Sequence, residues 1–334
     1  MRVWWTNKNP RLITKYFLDA VRELGGALLA YCTCHYFTLI LLLAIPVTTQ
    51  SDPGTENYGV ANVQTLARHE LDPTLADTLQ HRWMSKAKNV KSEANWSVLR
   101  RDFTIGFELL FEEGVQKGWY DVDVPLENLI FRWLAVPWMQ KELDEWVIMR
   151  NNSLPRANKH KVLPHGIPAM IRLHPELYGT TDFKIPIPMD VVDRLEGEYA
   201  PNDHPVFELT PPEFDRSAEA HYTAIGSPQL DRDTFWLIYC ELKARFLTGG
   251  LAEPVQEVIA AHVETMRRVN EDDAVVLLPN LHNLRQGDNV IGDLAAAEAK
   301  LSGWDVQGGG SNEAYITSSD EESSDSDVDD ENIL

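Results

Sequence analysis

Residues 48–57, TTQSDPGTEN, form an acidic turn directly after the most apolar part of the chain. The run before it, ALLAYCTCHYFTLILLLAIP at 27–46, contains no Asp, Glu, Lys or Arg. About 20 apolar residues suffice to cross a bilayer, so one interpretation is a membrane span followed by its first external turn. In the other interpretation IPVTTQSD, residues 45–52, is a short buried strand that ends at Asp52, where a site begins. The two interpretations predict different functions.

Charge is distributed unevenly along the 334 residues, although the whole chain carries −21. Residues 1–100 contain 11 Lys and Arg against 8 Asp and Glu, whereas residues 201–334 contain 8 against 27. The amino-terminal part is therefore the part suited to meet a polyanion. The three cysteines, Cys32, Cys34 and Cys240, provide no disulfide framework and favour a reducing compartment.

Periodicity and turn residues predict a chain that is mixed α/β in its first half and helical afterwards. Apart from the strand at 45–52, the expected elements are helices at 9–26, 62–71, 92–118, 125–152, 190–200, 213–225, 231–247 and 254–270. The segment beyond Gly308 has no Lys or Arg and little to bury, which predicts disorder. It is either an inert solubilising tail or a substrate for an acid-directed kinase at Ser318, Ser319, Ser323, Ser324 and Ser326.

Two carboxylates have the placement that a two-metal phosphoryl-transfer site requires. Asp52 ends the expected strand, and Glu93 opens the expected helix after a gap of 40 residues. Such sites hold two Mg²⁺ ions about 3.5–4 Å apart on hard oxygen ligands. The cations that could bind a phosphate backbone are Arg82, Lys86, Lys88, Lys91, Arg100 and Arg101. The alternative is structural: a simple turn, a glutamate that favours a helix N-terminus, and a solvated basic face.

The stretch SDPGTEN is followed by NVKSEANWSVLRR. This pair resembles the second and third acids in the core of integrases and DDE transposases, which has an RNase H-like fold. Further segments are NKNPRLITKYFLDAVRELGG, TLQHRWMSKAKNVKSEANWSVLRRDF, VPLENLIFRWLAVPWMQKELDEW, NKHKVLPHGIPAMI, HPVFELTPPEFD and GSPQLDRDTFW. With these segments the chain is more similar still to integrase-core-like proteins of mushroom-forming fungi. Together the segments cover about residues 3–300.

The resemblance implies DNA strand transfer with Mg²⁺ or Mn²⁺. Asp52 and Glu93 correspond to the second and third metal ligands, and the loop beside Asp52 is expected to be shaped by Gly54, Glu56 and Asn57. In this family the first acid lies on a strand upstream of the helix expected at 9–26. Met1 is only eight residues before that helix, and Asp19 lies inside it. The expectation is therefore an amino-terminally truncated core without its first aspartate.

The expected organisation has three parts: a partial RNase H-like integrase core at 1–155, a mainly α-helical, Pro-rich extension at 156–307 and a disordered acidic tail at 308–334. Residues 27–44 are interpreted as an insertion, because the family strand follows the helix almost directly. The leading functional expectation is an inactive, nuclear, DNA-binding protein, with homo-oligomers possible. The alternatives are an active Mg²⁺-dependent strand-transferase and a membrane-anchored protein with one span at about 27–46.

Overall fold

The computed structural model describes residues 1–25, 43–83, 90–157, 164–248, 253–271 and 274–278, with backbone only at 24–25, 90–94, 253–255 and 270–271. This part of the chain is mostly helical with few strands. The helices are α1 Pro10–Gly25, α2 Tyr58–Leu71, α3 Val90–Leu99, α4 Ile105–Gln116, α5 Pro125–Asn151, α6 Pro168–Leu173, α7 Met189–Tyr199, α8 Pro212–Ala224, α9 Phe235–Thr248 and α10 Glu253–Glu271. The strands are β1 Leu43–Ile45, β2 Thr49–Ser51, β3 His81–Trp83 and β4 Ile185–Ile187.

Helix α1 forms because a capping residue precedes an amphipathic sequence. The Asn9 side-chain oxygen accepts hydrogen bonds from the backbone N–H of Arg11 at 2.9 Å and of Leu12 at 3.3 Å. Leu12, Leu18 and Val21 recur at helical spacing and are buried. One face of α1 is therefore apolar and packs into the fold.

The strand expected over 45–52 is divided into two short strands with different partners. β1 begins at Leu43 and pairs antiparallel with β4, so that Leu43 opposes Ile187. β2 pairs in parallel with β3, with α2 between them in sequence. Pro46 lies between β1 and β2, where its missing N–H breaks the ladder. Leu43 and Ala44, which the sequence analysis assigned to an insertion, are buried in β1.

The first core joins segments from both sides of residue 155. Leu18 and Val21 of α1 pack with Leu43 of β1, and Val192 and Leu195 of α7 complete the cluster. At its edge, the Glu196 carboxylate on α7 accepts hydrogen bonds from both Lys15 and Arg22 on α1. The expected carboxy-terminal extension thus contributes a strand and a helix to the amino-terminal α/β unit.

The second core is aromatic and entirely helical. Phe103 and Phe107 meet Trp138 of α5, and Trp138 stacks on Phe235 of α9 at a centroid distance of 5.4 Å. Trp236 of α9 donates its indole N–H to the Leu110 carbonyl at 2.8 Å. Apart from the six-residue α6, which was not expected, the described helices lie close to the positions expected from periodicity.

Several expectations concern residues that the structure does not describe. None of the helices in the described ranges is long and apolar enough to cross a bilayer. Residues 27–42 of the apolar run lie outside those ranges. So does the tail at 308–334, together with its five serines.

Candidate nucleic-acid interface

Asp52 follows the carboxyl end of β2 and is exposed. Its backbone carbonyl accepts hydrogen bonds from the Gly54 N–H at 2.8 Å and from the Asn57 side-chain amide at 3.2 Å. In open α/β sheets, ligands commonly bind outside the carboxyl ends of parallel strands. β2 and β3 are such a parallel pair, and Asp52 lies at the end where a ligand is expected.

The loop beside Asp52 is held by the three residues that the sequence analysis selected. The Asn57 amide also donates to Oε1 of Glu56 at 3.1 Å. The Glu56 carboxylate covers Gly54, because a Cβ added to Gly54 would lie 2.0 Å from Glu56 Oε1. A side chain at position 54 would therefore displace Glu56 and loosen the turn.

A buried histidine supports the strand below Asp52. The two ring nitrogens of His81 on β3 lie 2.8 Å from the Thr49 hydroxyl and 3.0 Å from the Ser51 hydroxyl, both on β2. Burial lowers the pKa of His81 to about 4, so the ring is neutral at pH 7. This contact was not predicted from the sequence, although hydroxyls at positions 49 and 51 share one face of a strand.

Asp52 lines an open cleft of about 1040 Å³ between the amino-terminal segment, α1, α3 and α5. Trp96 on α3 lines the same cleft and is 64% exposed. It is the exception among the tryptophans in the described ranges, since all the others are buried or half-buried. A large exposed aromatic ring beside a polar strand end is a surface on which a flat ligand can stack.

The structure describes the side chains of only some of the basic residues that were expected to bind phosphate. Arg100 and Arg101 are exposed at the carboxyl end of α3, in the π-helical turn Arg100–Thr104. Their carboxylate partners are Glu108 at 3.4 Å and Asp102 at 2.8 Å. Arg82 is half-buried on β3.

Four of the selected positions lie partly or wholly beyond the described structure. Lys86 and Lys88 are outside the described ranges, and only the backbone is described at Lys91 and Glu93, both in α3. Glu93 precedes Trp96 by three residues on that helix. The helix that carries Glu93 therefore borders the cleft that contains Asp52.

The ionisable residues that line the cleft are mostly acidic. Arg2 is accompanied there by Asp19, Glu23, Asp52 and Glu56. Within the described ranges, no group of three or more His, Cys, Asp or Glu is arranged to hold a metal ion. The two-metal site that the resemblance implies stays a prediction, because only the backbone is described at Glu93.

Comparisons with models of known families, with curated proteins and with solved structures found no match to this chain.

Proposed function

We propose that this chain is a DNA-binding protein built on a partial RNase H-like, integrase-type core, and that it binds without transferring strands. The observation that carries the proposal is the exposed Trp96 ring in the cleft beside Asp52. DNA binding would place the protein in the nucleus.

The order of the elements supports the integrase-type core. Helix α1 precedes β1 and β2, α2 connects β2 to the parallel strand β3, and α3 follows. Asp52 then follows the carboxyl end of one strand, and Glu93 lies in the helix after the next. This is the relative placement of second and third acids that the resemblance implies.

Stacking on Trp96 would favour unpaired bases. Base–aromatic stacking contributes about 1–3 kcal/mol per base and tolerates any sequence, because every base has a π-face. The neighbouring Arg100 and Arg101 form exposed ion pairs with Glu108 and Asp102, and such pairs typically stabilise by about 0–1 kcal/mol. A phosphate can therefore compete with these two carboxylates at little cost.

The acidic cleft supports binding at its rim rather than strand transfer in its interior. Among the described residues that line the cleft, four carboxylates outnumber one arginine, and they repel a polyanion unless cations are recruited. A DNA strand lying across Trp96, Arg100 and Arg101 would keep its phosphates near positive charge.

The test is a salt titration of the full chain with fluorescently labelled single-stranded and duplex oligonucleotides, read by anisotropy in EDTA. We expect Trp96→Ala to weaken single-stranded DNA binding by about 5- to 100-fold. The double substitution of Arg100 and Arg101 to Ala should reduce the magnitude of the salt slope by about 1–2. Leu109→Ala, at another exposed side chain on the adjacent helix α4, is the matched control. Equal affinities for wild type, Trp96→Ala and the control would refute this placement.

A further inference from the structure

A second pocket, here called the side pocket, has a volume of about 430 Å³ and lies between the amino-terminal segment, α1, α5 and residues 202–209. Small-molecule sites in proteins typically have volumes of about 300–1,000 Å³. Arg2, Tyr16 and Asp19 line both the side pocket and the cleft that contains Asp52. A group bound in the side pocket can therefore belong to a longer molecule that lies in the cleft.

The walls of the side pocket are rich in aromatic rings. Trp4, Tyr16 and Phe207 are half-buried, line the pocket and pack with the buried Leu12 in one cluster. The Trp4 ring is fixed in place, because its indole N–H donates to the Val206 carbonyl at 2.8 Å. Rings held in this way favour a flat ligand that can stack on them.

The hydroxyl of Tyr16 is an open hydrogen-bonding group at this pocket. It forms no hydrogen bond with any residue in the described ranges, and its oxygen keeps accessible surface. Burial of the side chain raises the pKa of Tyr16, so the hydroxyl is protonated at pH 7 and both donates and accepts. A ligand atom that completes this hydrogen bond in a half-buried place would be bound favourably.

Other polar groups of the side pocket have capacity left for a ligand. Asn202 accepts from Lys15 through its side-chain oxygen at 3.3 Å, and its amide NH₂ donates to no described residue. The carboxylate of Asp19 adds acceptors. Arg2, which borders the cleft, has one ion pair in the described ranges, with Glu23 at 3.6 Å. Nucleobases present donors and acceptors along their edges, and an attached phosphate suits a neighbouring arginine.

We propose that the side pocket binds a single nucleobase, stacked on the aromatic walls and hydrogen-bonded to the Tyr16 hydroxyl. Two sources supply this chemistry: a free nucleotide, and an unstacked base of a strand that lies in the cleft. The second source rests on the proposed DNA binding, whereas the first does not. Unstacking costs least for a base that is already single-stranded, so the second source agrees with a preference for unpaired DNA.

The probes are the four deoxynucleoside 5′-monophosphates, titrated into the full chain in EDTA by isothermal titration calorimetry. Deoxyribose 5-phosphate is the control that lacks a base. We expect a Kd of about 10–1,000 µM for at least one nucleotide and no binding of the control in this range.

Two variants test the position of the base. Leu209→Trp adds a large ring at the wall of the side pocket and should abolish nucleotide binding. Tyr16→Phe removes only the hydroxyl and should weaken nucleotide binding by about 2- to 10-fold, while Tm stays equal to or above that of wild type. The matched control is Tyr178→Phe, at another half-buried tyrosine without a hydrogen bond in the described ranges, which lines neither cavity. It should keep the wild-type affinity.

Anisotropy with a labelled single-stranded oligonucleotide identifies the source. If a base of the strand enters the side pocket, Leu209→Trp and Tyr16→Phe should weaken oligonucleotide binding as well as nucleotide binding. If only nucleotide binding is weakened, the occupant is a free nucleotide. Trp96→Ala should leave the nucleotide Kd unchanged, because Trp96 does not line the side pocket. A failure of the proposed DNA binding is therefore distinguishable from a failure of this proposal.

Nucleotide binding that is equal in wild type and Leu209→Trp, or no tighter than that of deoxyribose 5-phosphate, would overturn the proposal. So would a lower Tm of Tyr16→Phe combined with an unchanged nucleotide affinity, since the hydroxyl would then be a structural group.

Discussion

The imidazole Nε2 of His81 lies 3.0 Å from the hydroxyl oxygen of Ser51, the residue immediately before Asp52. The Ser51 hydroxyl also donates to the Asp52 carbonyl at 2.9 Å. The Ser51 hydroxyl oxygen therefore accepts a hydrogen bond from the Nε2–H of His81. The Nδ1 atom of His81 then accepts a hydrogen bond from the Thr49 hydroxyl at 2.8 Å. The neutral ring joins β3 to β2 below the candidate interface.

Acid should weaken the fold through this histidine. The pKa of His81 is about 4 in the folded protein and about 6.5 when unfolded, so the unfolded state binds more protons between these values. The contribution of neutral His81 to the free energy of unfolding is fully present above pH 6.5. It is lost as the pH falls towards 4, and the total loss is about 3 kcal/mol. Urea unfolding across this range should show the decrease.

The variant His81→Gln separates this residue from the rest of the chain. Glutamine keeps a hydrogen-bond donor and an acceptor but does not titrate. The loss of unfolding free energy between pH 6.5 and 4 should therefore be smaller in the variant by the contribution of His81. His262, whose pKa is also lowered to about 4, should account for a second part. A His81→Gln profile identical to that of wild type would contradict the buried neutral ring.

Replacing either of two helical glycines by alanine should change stability, with opposite signs at the two positions. A Cβ on Gly114 in α4 would lie 2.0 Å from the Trp236 ring, whereas a Cβ on Gly197 in α7 meets nothing within 4 Å. Gly114→Ala should destabilise by about 1–3 kcal/mol because the core is overpacked. Gly197→Ala should stabilise by about 0.5–1 kcal/mol through helix propensity. Chemical denaturation of both variants is the measurement, and a stabilised Gly114→Ala would contradict the close packing of Trp236.

The polar link between α1 and α7 centres on the buried carboxylate of Glu196, and the exposed Asp193 of α7 accepts a further hydrogen bond from Arg22 at 2.9 Å. Glu196 is 5% exposed and accepts from Lys15 and Arg22, which are both partly exposed. Glu196→Gln should cost about 1–3 kcal/mol of unfolding free energy, less than a fully buried pair because both cations reach solvent. Glu198→Gln, on the exposed side of the same helix, should change stability by less than about 0.5 kcal/mol. Equal effects of the two substitutions would argue against the link.

The sequence predicted the helices well because their apolar residues repeat at helical spacing over ten or more positions. It did not predict β4, since Ile185–Ile187 contains Pro186 and is followed by Pro188. A three-residue strand with a proline is stable only through its partner, here β1, more than 130 residues earlier in the chain. Such a pairing leaves no local signal.

The candidate interface was predicted in part. Asp52 and its loop were found because a turn follows a strand, a pattern visible in ten residues. The buried Glu196 was missed, because charged residues on helices are normally exposed and only tertiary packing buries this one.

A deletion within the apolar run should be tolerated only if it ends at or before Leu42. Deleting 29–40 leaves a connection of about five residues between α1 and β1, a common length. Deleting 33–44 removes the same number of residues but includes Leu43 and Ala44, which are buried in β1. We expect cooperative unfolding of the first variant and a loss of at least about 1 kcal/mol in the second relative to it. Similar stabilities, measured by urea unfolding, would mean that β1 does not require these two residues.

Asp52 distinguishes binding from catalysis more directly than any other residue. If the chain only binds DNA, the exposed carboxylate repels phosphates that pass Trp96 and Arg100, and Asp52→Asn should tighten binding in EDTA by up to about fivefold. Thr55→Ala, at an exposed position in the same loop, tests for a non-specific effect of altering the turn and should leave affinity unchanged. If the chain is instead an active strand-transferase, Mg²⁺ or Mn²⁺ would support nicking of labelled duplex by the wild type, and Asp52→Asn would abolish it. Anisotropy and a nicking gel on the same three proteins therefore decide the matter: tighter binding without nicking supports the proposed function, and Asp52-dependent nicking would refute it.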